Sequence, residues 1–110
     1  MNELDVNALG KEMLAAALPI LKDRAEDASA YADMEFKKIA QTLASISEQF
    51  AAGQLSEHQA RLLMAMQKNA SQSVMLTLEG LGLLSVELAI NAALDVVRGT
   101  VNRAIGFALL

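Results

Sequence analysis

The sequence predicts an all-α protein, a helical bundle built around a long antiparallel helical hairpin. Hydrophobic residues make up 54% of the 110 residues but aromatic residues only 4%, so Leu, Ala, Ile, Val and Met must supply the core. Ala, Leu and Met are good helix formers, and a single Pro interrupts them. The length suits one core, and residues 1–110 are therefore treated as one helical domain.

A short first helix is predicted at about residues 3–17. A proline inside a helix lacks the amide donor and clashes with the carbonyl four residues before it, which costs about 3 kcal/mol. The residue before a proline is also pushed away from helical dihedral angles. We therefore expect a kink or break at Pro19, which can equally serve in the first turn of the next helix.

A long amphipathic helix is predicted at about residues 20–52. Apolar side chains recur from residue 14 to residue 50 in steps of three and four residues, as in a coiled-coil seam. One additional four-residue step near Phe36 would relax a left-handed supercoil locally. Charged residues fall on the opposite face, as on a helix with one solvated side. The seam consists of Leu14, Leu18, Leu21, Ala25, Ala28, Ala32, Phe36, Ile39, Leu43, Ile46 and Phe50.

A tight turn is predicted in the segment QFAAGQLSEHQARL, residues 49–62. Gly53 can adopt the left-handed conformation that ends a helix. Ser56 then stands where an N-cap is expected, and Gln59 follows three residues later to complete a capping box. This motif predicts two helices that pack antiparallel.

A second long helix is predicted at about residues 57–108, since no proline interrupts this part of the chain. Gly80 and Gly82 weaken it by roughly 1 kcal/mol each. The sequence alone leaves open whether the helix continues through these two glycines.

The segment LEGLGLLSVELAINAALDVV, residues 78–97, is too apolar for a helix surrounded by water and too charged for a single membrane span. Glu79, Glu87 and Asp95 interrupt it, and each carboxylate would cost about 2.5–3.5 kcal/mol on insertion. The first long helix and the short N-terminal helix are not expected to cover its whole apolar surface. We therefore expect contact with other chains, most simply copies of itself in a closed oligomer. The predicted interface residues are Leu76, Leu81, Leu84, Leu88, Ile90, Ala92 and Val97.

A narrow polar stripe follows the same predicted helix. It would face solvent, or line an axial channel if the oligomer is a ring. The residues of this stripe that we single out are Glu87, Asn91, Asp95 and Arg98.

The charge distribution argues against nucleic-acid binding. The net charge is −4, and no cluster of Lys or Arg is available to neutralise phosphates. The N-terminal segment MNELDVNALGK places acids before any base and has no apolar run behind a basic start. No secretory signal peptide is expected, so a cytoplasmic location is the default, with peripheral membrane association left open.

No catalytic, cofactor-binding or metal-binding residues are predicted. The chain has no Cys, and its single His, His58, has no second His beside it. Leu55 occupies the position that the Glu-x-x-His spacing of helical di-metal sites would require to be Glu. The segment GLGLL, residues 80–84, is no phosphate-binding motif, because Ser85 stands where the third glycine belongs.

We therefore expect a non-enzymatic structural or assembly protein, a self-associating hairpin subunit that forms a homo-oligomer or docks on a helical partner. The alternative is a membrane-active or pore-forming protein whose second helix inserts after oligomerisation. The acidic charge, the absence of Trp and the lack of a Lys/Arg-rich polar face disfavour that alternative. A third hypothesis, an acidic first helix that meets a basic partner, rests on charge alone.

Overall fold

The part of the chain that the structure describes forms four helices, and they pack as a bundle. A computed structural model describes residues 4–21, 26–78 and 81–110, and these residues contain no strand. The all-helical prediction is confirmed. The helices are α1 (Val6–Leu21), α2 (Glu26–Ala51), α3 (Glu57–Leu76) and α4 (Leu83–Ile105).

The first helix ends later than predicted. α1 passes through Pro19 and ends at Leu21, so the predicted end at about residue 17 is wrong by one turn. Pro19 offers no amide hydrogen to the carbonyl of Ala15, but both residues are exposed. Water can bond to that carbonyl, and the proline is therefore tolerated near the end of the helix. The next helix begins at Glu26 rather than at residue 20.

The apolar seam of α2 lies in the core. The predicted solvent face is exposed at Lys37 and Glu48. The acid Glu35 differs from these exposed residues because it is buried. Its carboxylate accepts a hydrogen bond from Lys38 Nζ at 3.0 Å. The predicted seam residue Ala25, with Lys22, Asp23 and Arg24, lies outside the described residues. The buried seam residues are Ala28, Ala32, Phe36, Ile39, Leu43 and Ile46.

The turn between α2 and α3 contains the predicted capping box. Ser56 Oγ accepts a hydrogen bond from the Gln59 amide at 3.1 Å, and Gln59 Oε1 accepts one from the Ser56 amide at 2.9 Å. Gly53 has a φ of 75°, the left-handed conformation expected of it. Thr42 on α2 donates to Gln67 on α3, which shows that α3 runs back along α2.

The second long helix of the prediction is two helices. α3 ends at Leu76, where the Thr77 hydroxyl and amide both donate to the Val74 carbonyl. α4 begins after Gly82, which has extended dihedral angles. A helix over residues 57–108 would be about 75 Å long, whereas the longest dimension of the molecule is 42 Å. Glu79 and Gly80 lie outside the described residues.

The break between α3 and α4 has a physical reason in the packing of the core. Two glycines make continuation cost about 2 kcal/mol relative to alanine. A break lets the apolar face of α4 fold against α1, and Leu81 is itself buried beside the break. The free energy gained by burying the apolar face of α4 therefore outweighs the free energy gained by continuing one helix through the glycines.

The apolar face of α4 is covered mainly by α1, which lies between α2 and α4. The N-terminal helix was expected to cover only part of this surface, and α1 does leave Leu84, Leu88 and Val96 of α4 exposed. Each helix contributes one buried face. The contributing residues are Leu9, Met13, Ala17 and Leu21 on α1, and Val86, Ala89, Ile90, Ala93, Leu94, Val97, Val101 and Ile105 on α4.

Candidate functional site

One apolar row on α4 remains uncovered. Leu84, Leu88, Ala92 and Val96 follow one another in four-residue steps and therefore share one side of the helix. Leu84 is 69% exposed, Leu88 50% and Val96 52%, while Ala92 is half-buried. We call these four residues the α4 stripe. None of them carries a charge, so the stripe is an apolar surface of the kind that associates with other proteins.

The structure divides the predicted interface residues between the surface and the core. Leu76, Leu84 and Leu88 are exposed, and Ala92 is half-buried. By contrast, Leu81, Ile90 and Val97 are buried within the chain itself. Those three side chains are occupied by contacts inside the bundle, and only the others are available to a second chain.

A cleft of about 260 Å³ lies between α3 and α4. These two helices contact each other only sparsely, although they are consecutive in the chain. The floor of the cleft is apolar and its rim is polar. We call it the α3–α4 cleft, and its lining residues are Arg61, Met64, Ala65, Lys68, Asn91, Leu94, Asp95, Arg98, Leu109 and Leu110.

Basic side chains stand on both walls of this cleft. Arg61 and Lys68 come from α3, and Arg98 comes from α4. Arg61 pairs with Glu57 at 3.4 Å, and Arg98 pairs with Asp95. Both pairs join residues of one helix, and within the described ranges no ion pair crosses from α3 to α4.

Lys68 differs from the two arginines. Its side chain is half-buried, and it has no acidic partner among the residues that the structure describes. Lys68 is therefore the positive charge of the cleft that is most available to a ligand.

Residues 106–110 close one end of the cleft. Gly106 ends α4 with a φ of 99°, in the left-handed region. Asn102 Oδ1 then accepts hydrogen bonds from the amides of Leu109 and Leu110, both at 3.0 Å. This holds Leu109 against the apolar floor of the cleft.

Phe107 fastens the same segment to the rest of the bundle. Its ring lies 4.8 Å from the ring of Phe50, centroid to centroid, with the planes tilted by 55°. The guanidinium of Arg61 lies 5.1 Å from the centre of the Phe107 ring. Tilted aromatic pairs and cations over rings are both attractive, so the segment is anchored on two sides.

The cleft contains most of the predicted polar stripe. Asn91, Asp95 and Arg98 line it, whereas Glu87 is exposed one turn before Asn91 and lies outside the lining. Sequence reasoning missed Arg61 and Lys68. A signal was present, because these two bases are seven residues apart and therefore share one side of α3, next to the buried Met64.

The structure also shows where the single histidine lies and whether metal-binding groups or membrane-spanning helices are present among the described residues. His58 is exposed in the first turn of α3. Over the described residues, no group of three or more His, Cys, Asp and Glu side chains is arranged to hold a metal ion. Across the same ranges, none of the helices is both long and apolar enough to span a membrane.

Comparison of the chain with protein-family models, with curated proteins and with solved structures gives no match.

Proposed function

We propose that this chain is a non-enzymatic assembly subunit that self-associates through the α4 stripe. The observation that carries the proposal is the charge-free row of exposed apolar residues Leu84, Leu88 and Val96 on an otherwise well-packed helix. Burying such a row removes apolar surface from water, at about 25 cal/mol per Å².

The spacing of the stripe suits a second copy of the same chain. Ala92 stands at its middle, with Leu88 four residues before it and Val96 four residues after it. In an antiparallel pair of α4 helices with a two-fold axis at Ala92, Leu88 of each copy faces Val96 of the other copy. The apolar contact of this pair therefore consists of Leu88, Ala92 and Val96 from both copies, while Leu84 faces Thr100 at its edge.

The size of the central residue supports the same arrangement. Ala92 is small, so two helices can approach closely where they cross. Rows of four-residue steps on both helices favour packing at an inclined angle of about −50°. The stripe therefore offers both the central small residue and the flanking larger ones that such a crossing uses.

The test is a pair of matched substitutions. Leu88→Glu places a charge in the stripe, and Leu62→Glu places one on α3. Leu88 is 50% exposed and Leu62 is 51% exposed, so both changes should leave the fold intact. Molar mass is measured by light scattering behind a sizing column, over a range of concentrations.

We expect the wild type to form a dimer of about twice the 11.7 kDa chain mass. Leu88→Glu should raise the dissociation constant at least about a hundredfold, because symmetry brings two unpaired charges into one interface. Leu62→Glu should leave the dimer unchanged. A wild type that stays monomeric at high concentration, or a dimer that only Leu62→Glu disrupts, would refute the proposal.

A further inference from the structure

We propose that the α3–α4 cleft binds a small amphipathic carboxylate, of the kind represented by a medium-chain fatty acid. The cleft lies on a different side of α4 from the α4 stripe. Asn91 and Arg98 line it, about 100–120° around the helix from Ala92 at the middle of the stripe, whereas Asp95 lies beside Leu88 at the edge of the cleft. The proposal does not depend on the self-association proposed above.

The charges of the cleft select an anion. Arg61 and Lys68 on one wall and Arg98 on the other place positive charge on both sides of one space. Asp95 also lies in the cleft, but Arg98 pairs with it. Arg61 likewise pairs with Glu57, so an anion in the cleft is attracted chiefly to Lys68, which has no acidic partner among the described residues.

The hydrogen-bond donors of the cleft suit a carboxylate. Lys68 lines the cleft and is half-buried, and in such partly buried surroundings a charge-assisted hydrogen bond is stronger than in open water. Asn91 lines the other wall and adds a neutral amide donor. A carboxylate has two oxygens, so one group on each wall can bond to it.

The floor of the cleft selects an apolar body behind the anionic group. Met64, Leu94 and Leu109 supply side chains that cannot bond to a polar ligand. The volume of about 260 Å³ is slightly below the range of about 300–1,000 Å³ that drug-sized ligands occupy. A short, unbranched acid fits this volume and chemistry, and octanoate is a suitable probe.

The experiment titrates the full chain with octanoate and follows backbone amide signals by nuclear magnetic resonance. We expect saturable shifts that cluster at Lys68, Asn91 and Leu109 and spare Leu84 and Leu88. Octanol, which has the same body without the charge, should bind at least tenfold more weakly. Lys68→Gln should weaken octanoate binding about tenfold or more, because it removes a hydrogen bond to a charged group.

Lys37→Gln is the matched control. Lys37 is also a lysine on a helix surface, but it lies on α2, where it pairs with Asp33 at 3.1 Å. This change should leave octanoate binding unaltered. The absence of saturable shifts, equal affinity for octanoate and octanol, or equal losses in the two lysine variants would each overturn the proposal. The comparison of the two ligands with the wild type decides the matter even if Lys68→Gln does not fold.

Discussion

Gly10 is a buried glycine within α1, at a point where α1 packs on α2. A Cβ built on it would lie 3.5 Å from Lys37 Cγ and 3.8 Å from Lys37 Cα, which are ordinary van der Waals distances. Burial alone would suggest that no side chain fits here. The distances show that a methyl group does fit.

We therefore expect Gly10→Ala to stabilise the protein by about 0.5–1 kcal/mol, because alanine loses less backbone entropy than glycine in a helix. Thermal or urea unfolding measures this change. Gly106→Ala is the contrasting control, since Gly106 has a φ of 99° and a side chain there should cost about 1–2 kcal/mol. A lower melting temperature for Gly10→Ala would show that the methyl group does not fit between α1 and α2.

A buried polar side chain in α3 is satisfied by a short series of hydrogen bonds. Ser71 is fully buried in α3, and its Oγ accepts a hydrogen bond from Gln67 Nε2 at 3.0 Å. Gln67 Oε1 in turn accepts one from Thr42 Oγ1 on α2 at 3.1 Å. Each of these bonded side-chain atoms has a partner, so burying them carries no penalty for an unmade hydrogen bond. The same two hydrogen bonds hold α3 against α2.

At the scale of the helices, the start of α3 is determined by local sequence. The two reciprocal hydrogen bonds of Ser56 and Gln59 satisfy amides that the first turn of a helix otherwise leaves unbonded. Short-range chemistry of this kind can be recognised in a sequence without knowledge of the rest of the fold.

Ser56→Ala removes the side-chain acceptor and should destabilise the protein by about 1 kcal/mol. Urea denaturation is the appropriate measurement. Ser73→Ala provides the control, because Ser73 is exposed in the last turn of α3, far from the N-cap, and alanine is the better helix former there. If both serine variants had the same stability, the capping box would contribute nothing.

Other helix boundaries could not be predicted in this way. The seam of α2 could be predicted because its apolar residues repeat at helical spacing. Six of these residues are buried in the structure. The end of α1 beyond Pro19 depends on whether water reaches the carbonyl of Ala15, and this depends on the packing of the whole bundle. The break before Gly82 depends on what α4 gains by folding against α1. Neither quantity is contained in a local pattern.

At the scale of the whole molecule, α1 decides what surrounds the apolar residues of α4. Met13 is fully buried on the face of α1 that enters the core. Because α1 packs on both α2 and α4, a cavity at Met13 weakens the contacts of three helices at once.

Met13→Ala should therefore lower the free energy of unfolding by about 2–5 kcal/mol. It should also increase the binding of an apolar dye, as α1 releases the surface of α4. Denaturant unfolding and dye fluorescence are the two measurements, and Glu12→Ala is an exposed neighbour for comparison. A Met13→Ala loss no larger than that of Glu12→Ala would mean that α1 is not the essential cover.

The candidate cleft also belongs to this scale. The polar residues Asn91, Asp95 and Arg98 could be recognised on one side of a predicted helix. Their proximity to Arg61 and Lys68 could not be predicted. In a continuous helix over residues 57–108, those two bases would lie far from the three polar residues. Only the reversal of the chain between α3 and α4 brings the two groups together.

The pairing of α1 with α4 also sets the order in which the protein can form. α4 begins at Leu83, 62 residues after α1 ends at Leu21, and ribosomes add about 5–20 residues per second. For several seconds of synthesis, α1 can pack on α2 but not on α4, the helix that it contacts most extensively. Contacts between distant parts of a chain also slow folding. The nascent protein therefore completes its core late, and until then its first helix is an apolar segment available to chaperones.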